Sequence, residues 1–443
     1  MIRQIVFILA LLVAIGIFSF TANRFIRRFL LTKSASPVKD FRKRFLVMAG
    51  VAFGQSKIFR MPVIGLMHAL VFWGFCIILL GTIEMIIDGI TGTEKVLKFL
   101  GPVHNIIMAS GDIFGPLVAL AILVFLFRRL FLHVRRFNGI EMKVISHLDA
   151  NIALILILLL MITLISMNAA YVSYQISQKL VIQGYYPFSN LLIGWFSRIP
   201  PENQFLIYET SWWTHILLIF LFANILPYSK NFHVFMSVPN VFLSRLEPLG
   251  KLAIMDKVTR EVRMMMHPET ASTTSSSEDP VERFGVKDVE DITWKNYLDS
   301  LACTECGRCT SVCPANITGK QLSPRKILMD IRARMKEKGP YMVKFGKNWT
   351  DKKALLREYI SEEELWACTT CNACAKECPV NINHPSIILD MRRYLVLEEA
   401  SAPAGLKNIF NYIENNGAPW QFSPEDRLLW AKDISLRMHE RPS

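Results

Sequence analysis

The sequence predicts an all-α protein in two parts, a bundle of five membrane-spanning helices followed by a mostly helical, water-facing domain. Three observations predict it. Apolar residues crowd into long runs up to about residue 235, and beyond about 256 the chain reads as an ordinary soluble sequence. Five of those runs approach the roughly 20 residues that a helix needs to cross a bilayer. The second part carries helix start and stop signals around two dense groups of cysteines. At 443 residues and 52% hydrophobic, the chain exceeds one ordinary core and is more apolar than the usual soluble composition.

The first run, IVFILALLVAIGIFSF (5–20), is followed by Arg24, Arg27 and Arg28, and its tail offers only the poor pair Ser19 and Thr21 as a cleavage site. It reads as an uncleaved anchor rather than a signal peptide. The second, VIGLMHALVFWGFCIILLGTIEMII (63–87), holds His68 and Cys76, the latter a small buried hydrophobe. The third, IFGPLVALAILVFLF (113–127), extends to Leu132 if Arg128 and Arg129 snorkel. The fourth is IALILILLLMITLISMNAAYV (152–172), and the fifth runs from about Trp212 through HILLIFLFANILPYSKNFHVF (215–235).

Charge sets the expected orientation. Ten Lys and Arg lie between Arg24 and Arg60, and five between Arg128 and Lys143, whereas the connections after the second and fourth runs are poor in both. The positive-inside rule then places the N-terminus outside and the C-terminal half in the cytoplasm, as for a multi-pass protein of a bacterial inner membrane. Most of the net charge of +13 flanks membrane spans, which argues against a nucleic-acid binder.

The fifth run raises a chemical question with its two histidines. His215 and His233 are 18 residues apart, five turns on an unbroken helix, so they would share a face about 27 Å apart along its axis. His68, early in the second span, shares a leaflet with His233. Two neutral imidazoles across a helix pair can hold a haem iron axially. The alternative is two hydrogen-bonded histidines at helix ends.

Eight of the nine cysteines form two copies of one pattern, Cys303-x-x-Cys306-x-x-Cys309-x-x-x-Cys313-Pro314 and Cys368-x-x-Cys371-x-x-Cys374-x-x-x-Cys378-Pro379. Three closely spaced thiolates suit one face of a [4Fe–4S] cube, and the fourth, before a proline, serves the other cube. The expected sets are Cys303, Cys306, Cys309 and Cys378 for one cluster, and Cys368, Cys371, Cys374 and Cys313 for the other. Zinc sites use two ligand pairs rather than a repeated run of four. Between the motifs, LSPRKILMDIRARMKEKG reads as a helix with Ser323 as N-cap, Pro324 in the first turn and Gly339 as its stop, and HPSIILDMRRYLVLEEA begins similarly. The order of cysteine run, proline, Ile-Leu, Asp and Arg repeats weakly between the two halves of this domain.

On HILLIFLFANILPYSKNFHVFMSVP and His68, residues 60 to 240 resemble the cytochrome b (gamma) subunit of respiratory nitrate reductases, a five-helix protein with two haems b. The resemblance implies haem b ligands at His68, His215 and His233. It departs at Ile78, where the family has its other second-helix ligand, so a second haem at His215 would need a substitute such as His104. CTECGRC, LSPRKIL, WACTTC, MRRYLV and GAPWQFSPEDRLLWA extend the likeness to membrane iron–sulfur proteins related to heterodisulfide reductase. Among these it most resembles the cytochrome b and di-cluster ferredoxin portion of electron-transfer-flavoprotein:menaquinone oxidoreductases. Long members of that family continue into a cysteine-rich CCG domain; no cysteine follows Cys378 here, so the resemblance implies a separate CCG-domain iron–sulfur subunit.

The expected organisation is therefore a transmembrane haem b domain (1–240), an amphipathic segment and Ser/Thr-rich linker (241–290), a helical domain with two [4Fe–4S] clusters (291–400) and a partner-docking segment (401–443). The expected function is an oxidoreductase subunit relaying electrons between an electron-transfer flavoprotein or flavin dehydrogenase and menaquinone. The alternatives are the same relay in a glycerol-3-phosphate, lactate or heterodisulfide-type dehydrogenase, or a redox sensor without catalysis.

Overall fold

The computed structural model describes residues 2–35, 37–132, 134–139, 141–267 and 283–434. Residues 268–282 of the expected linker lie outside the described residues, as does the C-terminal segment beyond 434. Among the described residues all regular structure is helical apart from two isolated β-bridges.

The membrane part consists of α1 (Ile2–Leu31), α2 (Phe41–Met48), α3 (Pro62–Thr91), α4 (Pro102–Leu130), α5 (Val144–Ser177), α6 (Ser189–Phe196) and α7 (Pro201–Ile225), followed by α8 (His233–Phe242) and α9 (Asp256–Met266). Five of these are long and apolar enough to span a membrane: α1, α3, α4, α5 and α7 continued to Tyr228. Proline opens α3, α4 and α7, where a missing N–H costs nothing. Phe7, Ile122, Leu160, Met161 and Ile216 form the bundle core, while Ile5, Leu12, Leu120 and Ile155 face outward, as lipid-facing side chains do. At Gly74 a Cβ would lie 2.4 Å from Val118 Cγ2, so the missing side chain lets α3 and α4 touch.

Two features of the bundle correct the sequence expectations. The third span begins at Pro102, eleven residues before the apolar run, and takes His104 into a helix rather than a connection. His104 and Asp112 in that stretch point inward and bond residues of α3, α5 and α6. Asp112 Oδ1 accepts from Asn168 Nδ2 and Ser189 Oγ, so a hydropathy scan misses about three turns that the bilayer tolerates. The fifth span is also not one helix through His233. Pro227, which lacks an N–H, closes α7 in a tight turn, and the Ser229 hydroxyl accepts from Asn231 N to start the next. His233 opens α8, so the five-turn argument linking it to His215 does not hold. Cys76, expected to be buried, is only partly so.

The soluble part runs through α10 (Trp294–Ala302), α11 (Arg308–Ser311), α12 (Pro314–Ile317), α13 (Pro324–Phe345), a kinked turn α14 (Leu355–Glu358), α15 (Glu362–Trp366), α16 (Ala373–Glu377), α17 (His384–Leu397) and α18 (Ala404–Asn416). Its core gathers Ile292, Tyr297, Ile327, Ile331, Met335, Ile387 and Met391. Ser323 caps α13 as expected, accepting from Lys326 N. The expected stop at Gly339 is overturned: α13 continues past Gly339 and Pro340 to Phe345. Gly339 packs against the Arg28 stem of α1, and Lys338 is held by Asp288 at 2.9 Å and Glu290 at 2.7 Å, which anchors the turn that proline weakens.

The soluble part sits on the end of the bundle that carries both basic connections. Lys33 pairs with Thr293 in a β-bridge, and Arg325, fully buried, grips Glu141 at 2.7 Å and the Arg136 carbonyl at 2.7 Å.

Candidate functional site

The cysteine loops follow one backbone pattern. Glu305 and Gly307 in the first motif, and Thr370 and Asn372 in the second, all have left-handed φ of 57°, 72°, 54° and 61°. Each pair of reversals folds the chain around its thiols and delivers the third cysteine, Cys309 or Cys374, into a short helix, α11 or α16. Those two helices pack against each other.

This packing crosses the motifs. Cys378 lies in electrostatic reach of Cys303, Cys306 and Cys309, while Cys313 lies in reach of Cys368 and Cys374, the latter also near Cys371. The thiols thus group as three from one motif and one from the other, and Cys309 also senses Cys374, so the groups adjoin. None of the eight is in a disulfide. Among the described residues no three His, Cys, Asp or Glu side chains form a group that could hold a single metal ion. Burial and the neighbouring sulfurs push the thiols up, Cys303 to about 11 and Cys374 and Cys378 to about 12. A bound metal centre reverses that preference, because its positive charge favours the thiolate.

Exposure distinguishes the groups. Cys303, Cys309 and Cys378 are buried, whereas Cys371 is exposed and Cys368 only partly covered. The first group faces the bundle: Arg308, beside Cys309, donates to the Lys57 carbonyl at 2.9 Å, and Lys57 Nζ donates to the Cys378 carbonyl at 3.1 Å.

The histidines occupy distinct settings. His68 and His233, from α3 and the start of α8, lie close enough for their charges to interact. His68 Nδ1 is 3.1 Å from Gln55 Oε1, and Gln55 Nε2 donates to the Ala52 carbonyl at 2.5 Å. That carbonyl can only accept, which fixes the amide with its oxygen toward His68, so Nδ1 carries the proton. His233 Nδ1 faces the Lys230 carbonyl at 3.3 Å and must donate as well. Both imidazoles therefore keep Nε2 as a bare lone pair, the arrangement in which a hydrogen bond at one ring nitrogen orients the other for a metal. In donor chemistry these two residues fit axial haem ligation.

His215 is fully buried, 2.9 Å from the Thr163 hydroxyl, which itself donates back to the Leu159 and Leu160 carbonyls. His104 directs Nε2 to Glu84 Oε1 at 3.0 Å, and the same carboxylate accepts from Leu97 N. The nitrogen that iron would use is thus committed to Glu84. Ile78, at the position of the missing second-helix ligand, packs into the apolar bundle core. Gln55 and Lys230 are the residues that sequence reasoning missed. Neither belongs to a motif, and only the fold brings them to the imidazoles.

At the opposite end of the bundle is a cavity of about 90 Å³, lined among others by Arg3, Asp88, Lys95, Tyr171, Tyr208 and Trp212. Asp88 is 20 residues from His68 along α3, roughly 30 Å at the helical rise.

Comparison with known proteins fits this geometry. The 4Fe-4S dicluster domain family matches residues 302–382, which contain all eight paired cysteines, so this part is a domain for two [4Fe–4S] clusters. The chain is 28% identical to the probable iron-sulfur-binding oxidoreductase FadF of Bacillus subtilis over 88% of this chain and 55% of the relative. It is 27% identical to the EtfAB:quinone oxidoreductase of Syntrophomonas wolfei over 87% of this chain and 53% of the relative. One component of the ferredoxin/F(420)H(2)-dependent CoB-CoM heterodisulfide reductase of Methanosarcina acetivorans is 36% identical over 24% of this chain and 52% of its own. The chain spans about half the length of the first two relatives. No solved structure matches it. The chain is thus an iron–sulfur electron-transfer protein with membrane helices, similar to oxidoreductases of this kind.

Proposed function

We propose that the chain is the membrane electron-transfer module of a quinone-linked oxidoreductase, passing electrons between a cytoplasmic flavoprotein system and the menaquinone pool. In this reading His68 and His233 hold one haem b. Cys303, Cys306, Cys309 and Cys378 hold the inner cluster, and Cys368, Cys371, Cys374 and Cys313 the outer one. When bound, these groups supply one-electron transfer. The residues of the chain do the rest: they orient two imidazoles, bury the inner thiols against the bundle and leave Cys371 at the surface for a donor.

The observation that carries the reading is the pairing of His68 and His233, each with Nε2 free, at the bundle end where the inner cysteine group docks. Similarity to an EtfAB:quinone oxidoreductase over most of this chain supports the electron-transfer flavoprotein and the quinone as partners. The heterodisulfide reductase likeness covers only about a quarter to a third of the chain and favours no rival substrate. The exposed helix α18 and the apolar residues beyond it, Trp420, Phe422 and Trp430, offer a surface for a CCG-domain iron–sulfur partner. The charge of the basic connections supports a cytoplasmic soluble domain and an N-terminus outside.

Purified protein should give a b-type pyridine haemochromogen spectrum together with about eight cluster irons per chain. His68→Ala and His233→Ala should each abolish the b-type absorbance while the cluster signals persist. A full b-type spectrum in both variants would sink the assignment.

A further inference from the structure

We infer that residues 55–60 are a positioning strap that sets the electronic character of the His68 imidazole while clamping the inner cysteine loops over it, with Gln55 as the orienting residue. The inference rests on the reading of His68 and His233 as haem ligands and goes beyond it by assigning Gln55 a role.

The strap follows a π-helical turn, Ala49–Phe53, and Gln55 adopts a left-handed φ of 52°. A non-glycine residue in that region persists only where its surroundings hold it. Here they do. The Gln55 side chain is buried, its amide is tied to Ala52 O at 2.5 Å, and its oxygen faces His68 Nδ1 at 3.1 Å. A buried amide that spends both ends on one carbonyl and one imidazole contributes no apolar packing of its own. What it does is fix which ring nitrogen holds the proton and how strongly that proton is held.

The next few residues grip the cysteine domain. Lys57 Nζ donates to the Cys378 carbonyl at 3.1 Å and the Lys57 carbonyl accepts from Arg308 at 2.9 Å. Arg60 donates to the Lys376 carbonyl at 2.8 Å. Arg308 precedes Cys309, and Lys376 lies between Cys374 and Cys378. Within six residues the strap touches His68 and both segments that carry the inner group. The second imidazole is held in a parallel way: the carbonyl facing His233 belongs to Lys230, whose Nζ pairs with Glu305 at 3.6 Å, next to Cys306. Docking of the cysteine domain and orientation of the ligands are therefore one mechanical arrangement.

Gln55 acts through His68, so its signature is a change at the iron with its sign set by the acceptor. A carboxylate accepting from Nδ1 makes the imidazole a stronger donor and favours oxidised iron. Loss of the acceptor does the reverse. Full-length Gln55→Leu and Gln55→Glu chains in native membranes would be compared by redox titration of the b-type absorbance and by electron paramagnetic resonance of the low-spin haem and reduced clusters. The expected result is a midpoint raised in Gln55→Leu and lowered in Gln55→Glu, with shifted haem g-values and unaltered cluster signals. Loss of haem from Gln55→Leu that Gln55→Glu restores supports the assignment too. Unshifted midpoints and g-values in both, or loss of haem from both, would overturn it. Absence of b-type absorbance in the unmutated protein would instead overturn the haem reading.

Discussion

Gly307 shows how a single residue ties the two parts together. Its φ is +72°, and a Cβ there would lie 2.4 Å from the Arg136 carbonyl, a rigid backbone atom of the third-to-fourth connection. Gly307→Ala should therefore cost about 1–3 kcal/mol from backbone strain, with the contact adding to it. Thermal unfolding of the detergent-solubilised protein should register the loss, and protease should open the 134–139 connection faster. At this scale the cysteines and His68, His215 and His233 were legible because thiols and imidazoles are chemically distinctive wherever they occur. Gln55 was not. It stands 13 residues before His68, outside any motif, and becomes an orienting group only after the chain reverses through the π-helical turn.

At the scale of elements, the cysteine loops are the most predictable part of the molecule. Their spacing dictates a tight wrap, and the paired left-handed residues provide it. The crossing of the fourth cysteine follows from α11 lying against α16. Cys313→Ser should accordingly perturb the cluster made mainly by the second motif, removing about four irons per chain and the signal of the more exposed cluster. Iron analysis and electron paramagnetic resonance would check this; loss of the first-motif cluster instead would refute the crossed assignment. Helix lengths were less legible. The polar opening of α4 satisfies itself by tertiary contacts with Glu84, Asn168 and Ser189, which hydropathy cannot register. The break at Pro227 was visible as a proline, but a continuous apolar run obscured that it ends the helix there.

At the scale of the whole molecule, the joint between membrane and soluble parts is polar. Although burial pushes the Glu141 carboxyl up, the hydrogen bond from Ser323 and the Arg325 guanidinium carry it below the ordinary carboxylate range. Arg325 is itself fully buried, so removing its partner leaves an uncompensated charge, a loss on the order of 3–5 kcal/mol. The sign of the pH dependence follows. A carboxylate with a depressed folded value contributes its full stabilisation above its ordinary value of about 4.3, and that contribution fades as pH falls through the lowered value. Hydrogen-exchange protection factors at 134–139, 141–142 and 323–326 should thus fall as the medium is acidified below about pH 4, while Glu141→Gln should show low protection already at neutral pH. Equal protection in both proteins across that range would show that the pair does not hold the joint.

The sequence by itself determined the all-α class, the count of five spans, the soluble cysteine domain and the eight-thiol pattern. Apolar length against bilayer thickness and covalent spacing along a loop are local properties, and local properties survive without knowledge of the fold. Only the tertiary structure decided which imidazole nitrogens stay bare, and that His104 answers to Glu84. Each of those depends on the direction a side chain takes toward a residue far off in the chain. Such contacts form only when helices from both parts have packed.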